Sequence, residues 1–269
     1  MNKFLKELKA YFKACQAAPS KILYYTVTDS TNERARRYPE EKKSDAKATV
    51  NGTKGVTLFV ADSQSRGRGR LERRFVSNAG SGLYMSIKFP YHGSLSDAVG
   101  ITPLAAVSVC RATERLCGAK PKIKWVNDVY VGEKKLAGIL TESIVGESGI
   151  REFICGIGVN ISPSDMPPEV KSIATDLLSE GFSVSPAALC AKITEEFLLG
   201  LDDVWSFETV NEYKSRSFIP GKAVTVTEGN EVYSATALNV SDRYELLIEL
   251  SDGSKRNLSA GEVSLKLKK

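Results

Sequence analysis

The chain has 269 residues, 42% of them hydrophobic and 26% charged, with a formal net charge of +5. That length supports one sizeable core plus a small appended unit, and the charge excess is too mild to imply a nucleic-acid partner. Apolar runs such as 55–61 and 104–110 fall far short of the roughly 20 residues that a membrane-spanning helix needs.

Within the first segment, apolar Phe4, Leu5, Leu8, Tyr11, Phe12 and Cys15 recur at helical spacing, which predicts an amphipathic, core-facing helix over 3–17. Lys3, Lys6, Glu7, Lys9 and Lys13 interrupt that segment, so it has no signal-peptide character, and a cytoplasmic protein is expected. A β-branched and aromatic run at 22–27 predicts a strand. It leads into Asp29-Ser30-Thr31-Asn32, a cluster of helix N-cap residue types ahead of a helix over 33–38. Residues 39–54 lack periodicity and are expected to form a solvated loop without chemistry.

Strands are predicted at 56–61 and 82–89, then a long helix over 96–116 with Pro103 near its start. Further strands are predicted at 122–125, 129–131, 136–143 and 153–160, turning at Gly132-Glu133 and 146–149. Two helices follow, 186–204 with Ser185 as cap and Pro186 in the first turn, then 207–217. After Ile219-Pro220-Gly221 the pattern changes to short β runs at 223–227, 232–240, 245–250 and 255–258, expected to form a separate β-barrel of about fifty residues. The five cysteines are scattered without a CxxC pair and are expected to be buried free thiols.

The segment Gln64-Ser65-Arg66-Gly67-Arg68-Gly69-Arg70-Leu71-Glu72-Arg73-Arg74-Phe75 carries the first chemistry. Its glycines let backbone approach an anion, and its arginines offer planar donors that match carboxylates and phosphates. Two like charges about 4 Å apart repel by roughly 4 kcal/mol at an effective dielectric near 20, so bringing a carboxylate to a phosphate needs such cations. The segment fits neither GxxxxGKS nor GxGxxG, and an RNA-binding or merely solvated arginine-glycine stretch is the alternative on composition alone. A second cluster, Lys124-Trp125-Val126-Asn127-Asp128, is followed by Lys135 and Gly138-Ile139-Leu140. A hairpin through Gly132 would return Lys135 beside Lys124 and Asp128. A third segment, Gly156-Ile157-Gly158-Val159-Asn160, suits close approach of backbone to a ligand, or equally a tightly packed central strand.

Together these segments, with Asp29-Ser30-Thr31-Asn32, resemble the biotin protein ligases, which form biotinyl-adenylate and attach biotin to carrier lysines. The stretch 260–265, Ala-Gly-Glu-Val-Ser-Leu, resembles that family's closing motif. The resemblance implies an α+β fold: a mixed-sheet catalytic domain of biotin/lipoate ligase type over 1–218, then an SH3-like barrel over 219–269. It implies biotin contacts from Ser30, Thr31, Asn32, Gln64, Arg68, Gly69, Arg70, Lys135, Gly138, Gly156 and Gly158. It implies ATP contacts from Gly67, Arg68, Arg70, Arg73, Phe75, Lys124, Asn127, Asp128 and Asn160. Lys135, Arg70 and Lys124 would be catalytic, and magnesium would accompany ATP with Asp128 as its candidate ligand.

The chain departs from the family pattern at Phe75, where tryptophan is usual and adenine stacking is still expected. It departs also at Val126 in place of proline, at Glu72 in place of glycine, and at Lys266 in place of arginine. Implied partners are a biotin carboxyl carrier domain and, through a sheet edge, a second copy of the chain. With only about twenty residues ahead of the first strand, no specific DNA binding is expected. A lipoate or octanoate transferase is the alternative within the fold. No zinc site and no serine-histidine or cysteine-histidine pair is evident, and His92 is expected at the surface.

Overall fold

The computed structural model describes residues 2–38, 54–70, 73–91, 94, 98–146, 149–163, 165–259 and 261–265. The expectations for the loop at 39–53 and for Glu72, His92, Ala260 and Lys266 lie outside the described residues.

Seven strands build the larger sheet: β1 (Lys21–Thr28), β2 (Thr57–Gln64), β3 (Gly82–Pro90), β4 (Lys122–Lys124), β5 (Asp128–Val131), β6 (Lys134–Gly146) and β7 (Gly149–Asn160), in the order β1-β2-β3-β7-β6-β5-β4. Only β1 and β2 run parallel; every other neighbouring pair is antiparallel. The helix α2 (Thr31–Arg37) sits within the β1–β2 crossover, as a parallel connection requires.

Period-two alternation decides what each face of this sheet can do. On β3, Leu83, Met85, Ile87 and Phe89 face one core, and on β7, Phe153, Cys155, Ile157 and Val159 join them. That face packs beneath α1 (Lys3–Phe12), α3 (Ile101–Cys117), α5 (Pro186–Gly200) and α6 (Phe207–Arg216). Each fully buried Leu, Ile or Phe there contributes about 1.5–3 kcal/mol of transfer free energy. The intervening residues, Ser86 and Lys88 on β3 and Gly156 and Gly158 on β7, face the other way, toward α2 and the ligand cavity. The sheet is thus apolar under its helices and small or polar where a ligand enters.

Several predicted boundaries move. The first helix ends at Phe12, because Cys15 lies beyond a turn in which Ala14 and Cys15 donate to Tyr11 and Phe12. The helix α3 begins at Ile101, and α5 ends at Gly200, continuing as a 3-10 turn over Leu201–Asp203. The short α4 (Pro168–Lys171) was not predicted, four residues being too few to show a period. Cys110, Cys155 and Cys190 are buried as expected, whereas Cys15 and Cys117 are only half-buried; all five are free. Burial pushes the Cys110 and Cys155 thiols up to about 12.

The smaller sheet contains β8 (Ala223–Glu228), β9 (Glu231–Val240), β10 (Leu246–Leu250), β11 (Lys255–Leu258) and β12 (Glu262–Leu265), in the order β11-β10-β9-β8-β12. It is tied to the larger one through Tyr244. The Tyr244 carbonyl accepts from Trp125 Nε1 at 2.8 Å, and its hydroxyl donates to the Val204 carbonyl at 2.6 Å. Tyr213 meets the Tyr244 ring edge-on, with ring centres 5.2 Å apart. Trp125 therefore anchors the barrel and at the same time holds the start of the Asn127-Asp128 turn.

Candidate active site

A cavity of 400 Å³ opens on the glycine-bearing face, walled by α2, the loop after β2, the β4–β5 turn, β6, β7 and β12. Of the expected site residues, all but Gly67 line it. Gly67 is buried under the loop instead: a Cβ there would stand 2.3 Å from the Phe75 carbonyl oxygen. It lets the loop fold back, with Phe75 N donating to Gly67 O at 2.9 Å.

One end of the cavity is neutral and hydrogen-bonding. Ser30 occupies the cap position of α2 but makes no capping hydrogen bond with its side chain, so the expected cap cluster serves the cavity. The turn is held by Asp29, which accepts from Ser30 N at 2.8 Å, Thr28 Oγ1 at 3.0 Å and Arg37 at 2.5 Å. Burial raises the Asp29 carboxyl, yet the Ser30 N–H and the Arg37 guanidinium outweigh it and bring the pKa down to about 2 from 3.8. The ionised form therefore stabilises the fold above pH 3.8, and that contribution is lost as pH falls through about 2. Asp29→Asn is expected to lower the Tm at pH 7, with the deficit closing between pH 3.8 and about 2 in a calorimetric pH series. A deficit that stays constant over that range would contradict the assignment.

Gln64 closes this end, its Oε1 accepting from Thr31 N at 2.7 Å and its Nε2 donating to Ser77 Oγ at 2.8 Å. The floor is glycine. The Asn32 amide lies flat on Gly156, where a Cβ would come within 2.2 Å of Asn32 Oδ1. The Phe75 ring lies on Gly158, where a Cβ would meet it at 2.6 Å, and reaches Gly138. Phe75 thus rests on the glycine floor and edge-on to Tyr84, over the strands expected to receive biotin.

The other end is cationic, with Arg68, Arg70, Arg73, Arg74, Lys124 and Lys135 lining it against only Asp128 and Glu262, an excess that suits an anion. Lys135 does return beside Asp128, Nζ to Oδ1 at 2.6 Å, and its side chain crosses Gly138. A bulge at Leu136, opposite Val129 and Tyr130, sets this register, and the Lys135 backbone is clamped by Ile173 and Thr175 at 2.9 Å each. Lys124 is paired across the hairpin with Asp128. Burial lowers the Lys124 ammonium, and the nearby Asp128 and Glu262 offset this only in part.

The remaining polar side chains act first as braces. Arg70 donates to Asn127 Oδ1 at 3.1 Å and to the Gly261 carbonyl at 2.8 Å, joining the loop to both sheets. Asn127 also donates to the Ile139 carbonyl at 2.9 Å, and Asn160 to the Thr175 carbonyl at 2.9 Å. Arg73 pairs with Glu262 at 2.5 Å, and Arg68 pairs with Glu33 and lies 3.5 Å from Glu142. Glu33, Glu142 and Glu262 are functional neighbours that the sequence analysis did not assign. Glu262 belongs to the 260–265 stretch, while Glu33 and Glu142 carry no local signal.

Residues 22–160 match the profile of the biotin/lipoate A/B protein ligase family. The chain belongs to that family. Residues 220–266 match the biotin protein ligase C-terminal domain, which accounts for the second sheet. The bifunctional ligase/repressor BirA of Bacillus subtilis is 32% identical over 254 residues, covering 89% of this chain and 72% of that one. The biotin--[acetyl-CoA-carboxylase] ligase of Paracoccus denitrificans is 33% identical over 177 residues, covering 64% and 65%. The structure of Aquifex aeolicus biotin protein ligase in complex with biotin and ATP superposes with a TM-score of 0.71 at 27% identity, over 93% of this chain and all of that one. No described helix is long and apolar enough to cross a membrane.

Proposed function

We propose that this family member is an ATP-dependent biotin protein ligase, with residues 1–218 as the catalytic unit and 219–269 as the appended barrel. A biotin carboxylate oxygen attacks the α-phosphorus of ATP and pyrophosphate leaves. A carrier lysine amine then attacks the acyl carbon of the mixed anhydride and AMP leaves. The observation that carries the reading is the polarity of the cavity. Its neutral end, at Ser30, Thr31 and Gln64, suits a ureido ring, and the glycine floor leads from there to a cationic end suited to a carboxylate beside a phosphate.

Arg68, Gly69 and Arg70 wrap the carboxylate and α-phosphate, and Lys135 stands where the two meet. Arg73 and Lys124 face the nucleotide with Asn127, Asp128 and Asn160, and Phe75 leaves the floor to stack on adenine. Catalysis is positioning and charge neutralisation, with no covalent enzyme intermediate. For the implied magnesium, the described residues offer no group of three His, Cys, Asp or Glu side chains. Asp128 alone suits an ion carried mainly by phosphates and water, and the bound ion would add neutralisation of phosphate charge.

The carrier domain is proposed to dock along the exposed edge strand β1, near the cavity, an edge that a second copy of the chain would compete for. The reaction belongs in the cytoplasm. Labelled biotin should pass to a purified acceptor domain only when ATP is present, and lipoate should not replace biotin in ATP–pyrophosphate exchange. Equal exchange with lipoate would favour the lipoate branch of the family and overturn the proposal.

A further inference from the structure

The helix α2 brings Ser30, Thr31 and Asn32 to the cavity at its start, yet with seven residues it is too short to hold itself in shape or in place. Its placement must come from what it lies on. Beneath its middle, Ala35 packs with Phe59 of β2 and Ile154 of β7, a satellite core of only three fully buried residues, separate from the main one. The alternation of β3 then meets the helix at two points. At its start, Ser86 Oγ lies 2.7 Å from Thr31 Oγ1 and 2.6 Å from Asn32 Oδ1. Two residues further along the strand, Lys88 Nζ donates at 2.9 Å to the carbonyl of Tyr38, the residue that ends α2.

Lys88 is an unexpected residue for that place. It is 4% exposed, it does not line the cavity, and neither chemical step uses it. Lysine is almost never so buried unless paired. Its partner is Glu152 on the neighbouring strand β7, whose Oε2 lies 3.0 Å from Nζ and which does not line the cavity either. An apolar side chain would cover the sheet without the cost of desolvating two charges. What it could not supply is a charged donor at the end of α2, where the last carbonyls carry the negative end of the helix dipole. The Tyr38 ring, edge-on to Phe59 with ring centres 5.6 Å apart, anchors the same residue on the satellite core.

We infer that Lys88 and Glu152 are positioning residues for the carboxylate substrate: by pinning the C-terminal end of α2 to β3, they fix where its first turn, about 10 Å away, presents Ser30, Thr31 and Asn32 to the cavity. The inference rests on the functional reading above and adds to it residues that govern biotin binding from outside the pocket. Glu152 acts through Lys88, which it orients, and Lys88 acts through the helix. Without the pin, α2 can pivot on Ala35. That displaces its first turn and leaves Lys124, Asp128 and Lys135, on β4 to β6, where they are.

The test pairs amide hydrogen exchange of the full unliganded chain with its ATP–pyrophosphate exchange. In Lys88→Met, the α2 amides should exchange about tenfold or more faster while those of β3 and β7 keep their protection. KM for biotin should rise about tenfold, with KM for ATP and kcat changed by less than about twofold. Lys88→Met also strands the Glu152 carboxylate, so Lys88→Met/Glu152→Met is the sharper variant. An apolar pair of similar volume should regain much of the lost Tm, while α2 stays fast to exchange and KM for biotin stays raised. If Lys88→Met does not fold, the double variant carries the same readouts. Recovery of α2 protection and biotin KM along with Tm, a loss of protection spread over β3 and β7, or an equal rise in KM for both substrates would reduce the pair to fold stability and overturn the inference. Unchanged α2 protection in the variants would overturn it as well. Wild-type protein without biotin-dependent pyrophosphate exchange would instead overturn the functional reading itself, whatever α2 does.

Discussion

Replacing Lys135 with methionine is expected to slow biotin-dependent ATP–pyrophosphate exchange by about 100-fold or more, the usual loss when one preorganised charge at a reacting centre is removed. Lys135 Nζ is held over Gly138 by the bulge at Leu136 of β6, opposite Val129 and Tyr130, and by the clamp at Ile173 and Thr175, so its position costs no reorganisation when substrate binds. Methionine preserves the stem that covers the floor and removes only the charge. It also leaves Asp128, whose side chain is 18% exposed, without its ion-pair partner beside incoming phosphates. Stability should fall by roughly 1–3 kcal/mol, between the values for exposed and buried pairs. The double variant Lys135→Met/Asp128→Asn separates the two effects. It should regain most of the stability in denaturant titration and little of the exchange activity. Exchange restored along with stability would show that Lys135 serves only to neutralise Asp128.

The strand β3 was legible in the sequence because its core face is apolar and its other face small or polar apart from Tyr84, and β7 alternates likewise apart from Ile154, which packs with Ala35 and Phe59. The same alternation exposes Gly156 and Gly158, and the hairpin through Gly132 was enough to bring Lys135 to Asp128. Contacts between distant segments left no trace of this kind. Arg73 meets Glu262 across 189 residues, and Arg70 reaches Gly261 across 191. No local period links a loop in the first sheet to a strand in the second. Nor does the sequence distinguish a side chain that touches ligand from one that braces the wall. Asn127 and Asn160 line the cavity, but their amides are spent on backbone carbonyls, and Gly67 works beneath the loop. Ser30 shows the converse. Its residue type predicts a helix cap, and its position gives it to the cavity.

Gly156→Ala should be the most damaging single methyl group in the site. In register, Gly156 lies between Ser86 on β3 and Leu140 on β6, so its backbone cannot back away without breaking two ladders. The new Cβ would stand 2.2 Å from Asn32 Oδ1, and Asn32 is fixed by Ser86, Leu140 and Glu142. Overpacking of this kind costs about 1–3 kcal/mol, and each kcal/mol lowers Tm by roughly 2–4 °C in a protein of this size. The larger effect falls on recognition: displaced Asn32 no longer orders Ser86 and Thr31, and KM for biotin should rise by about 100-fold. Gly158→Ala makes a useful contrast. Its Cβ would meet the Phe75 ring at 2.6 Å, but Phe75 sits on a loop and can swing off the floor, so the expected penalty is several-fold smaller. Adding Asn32→Gly to Gly156→Ala removes the clash but leaves Ser86 and Glu142 without the amide, so it should recover only part of the Tm and none of the biotin affinity. If affinity returned with Tm, the amide of Asn32 would have no part in ordering the site, and its displacement would be a packing defect alone.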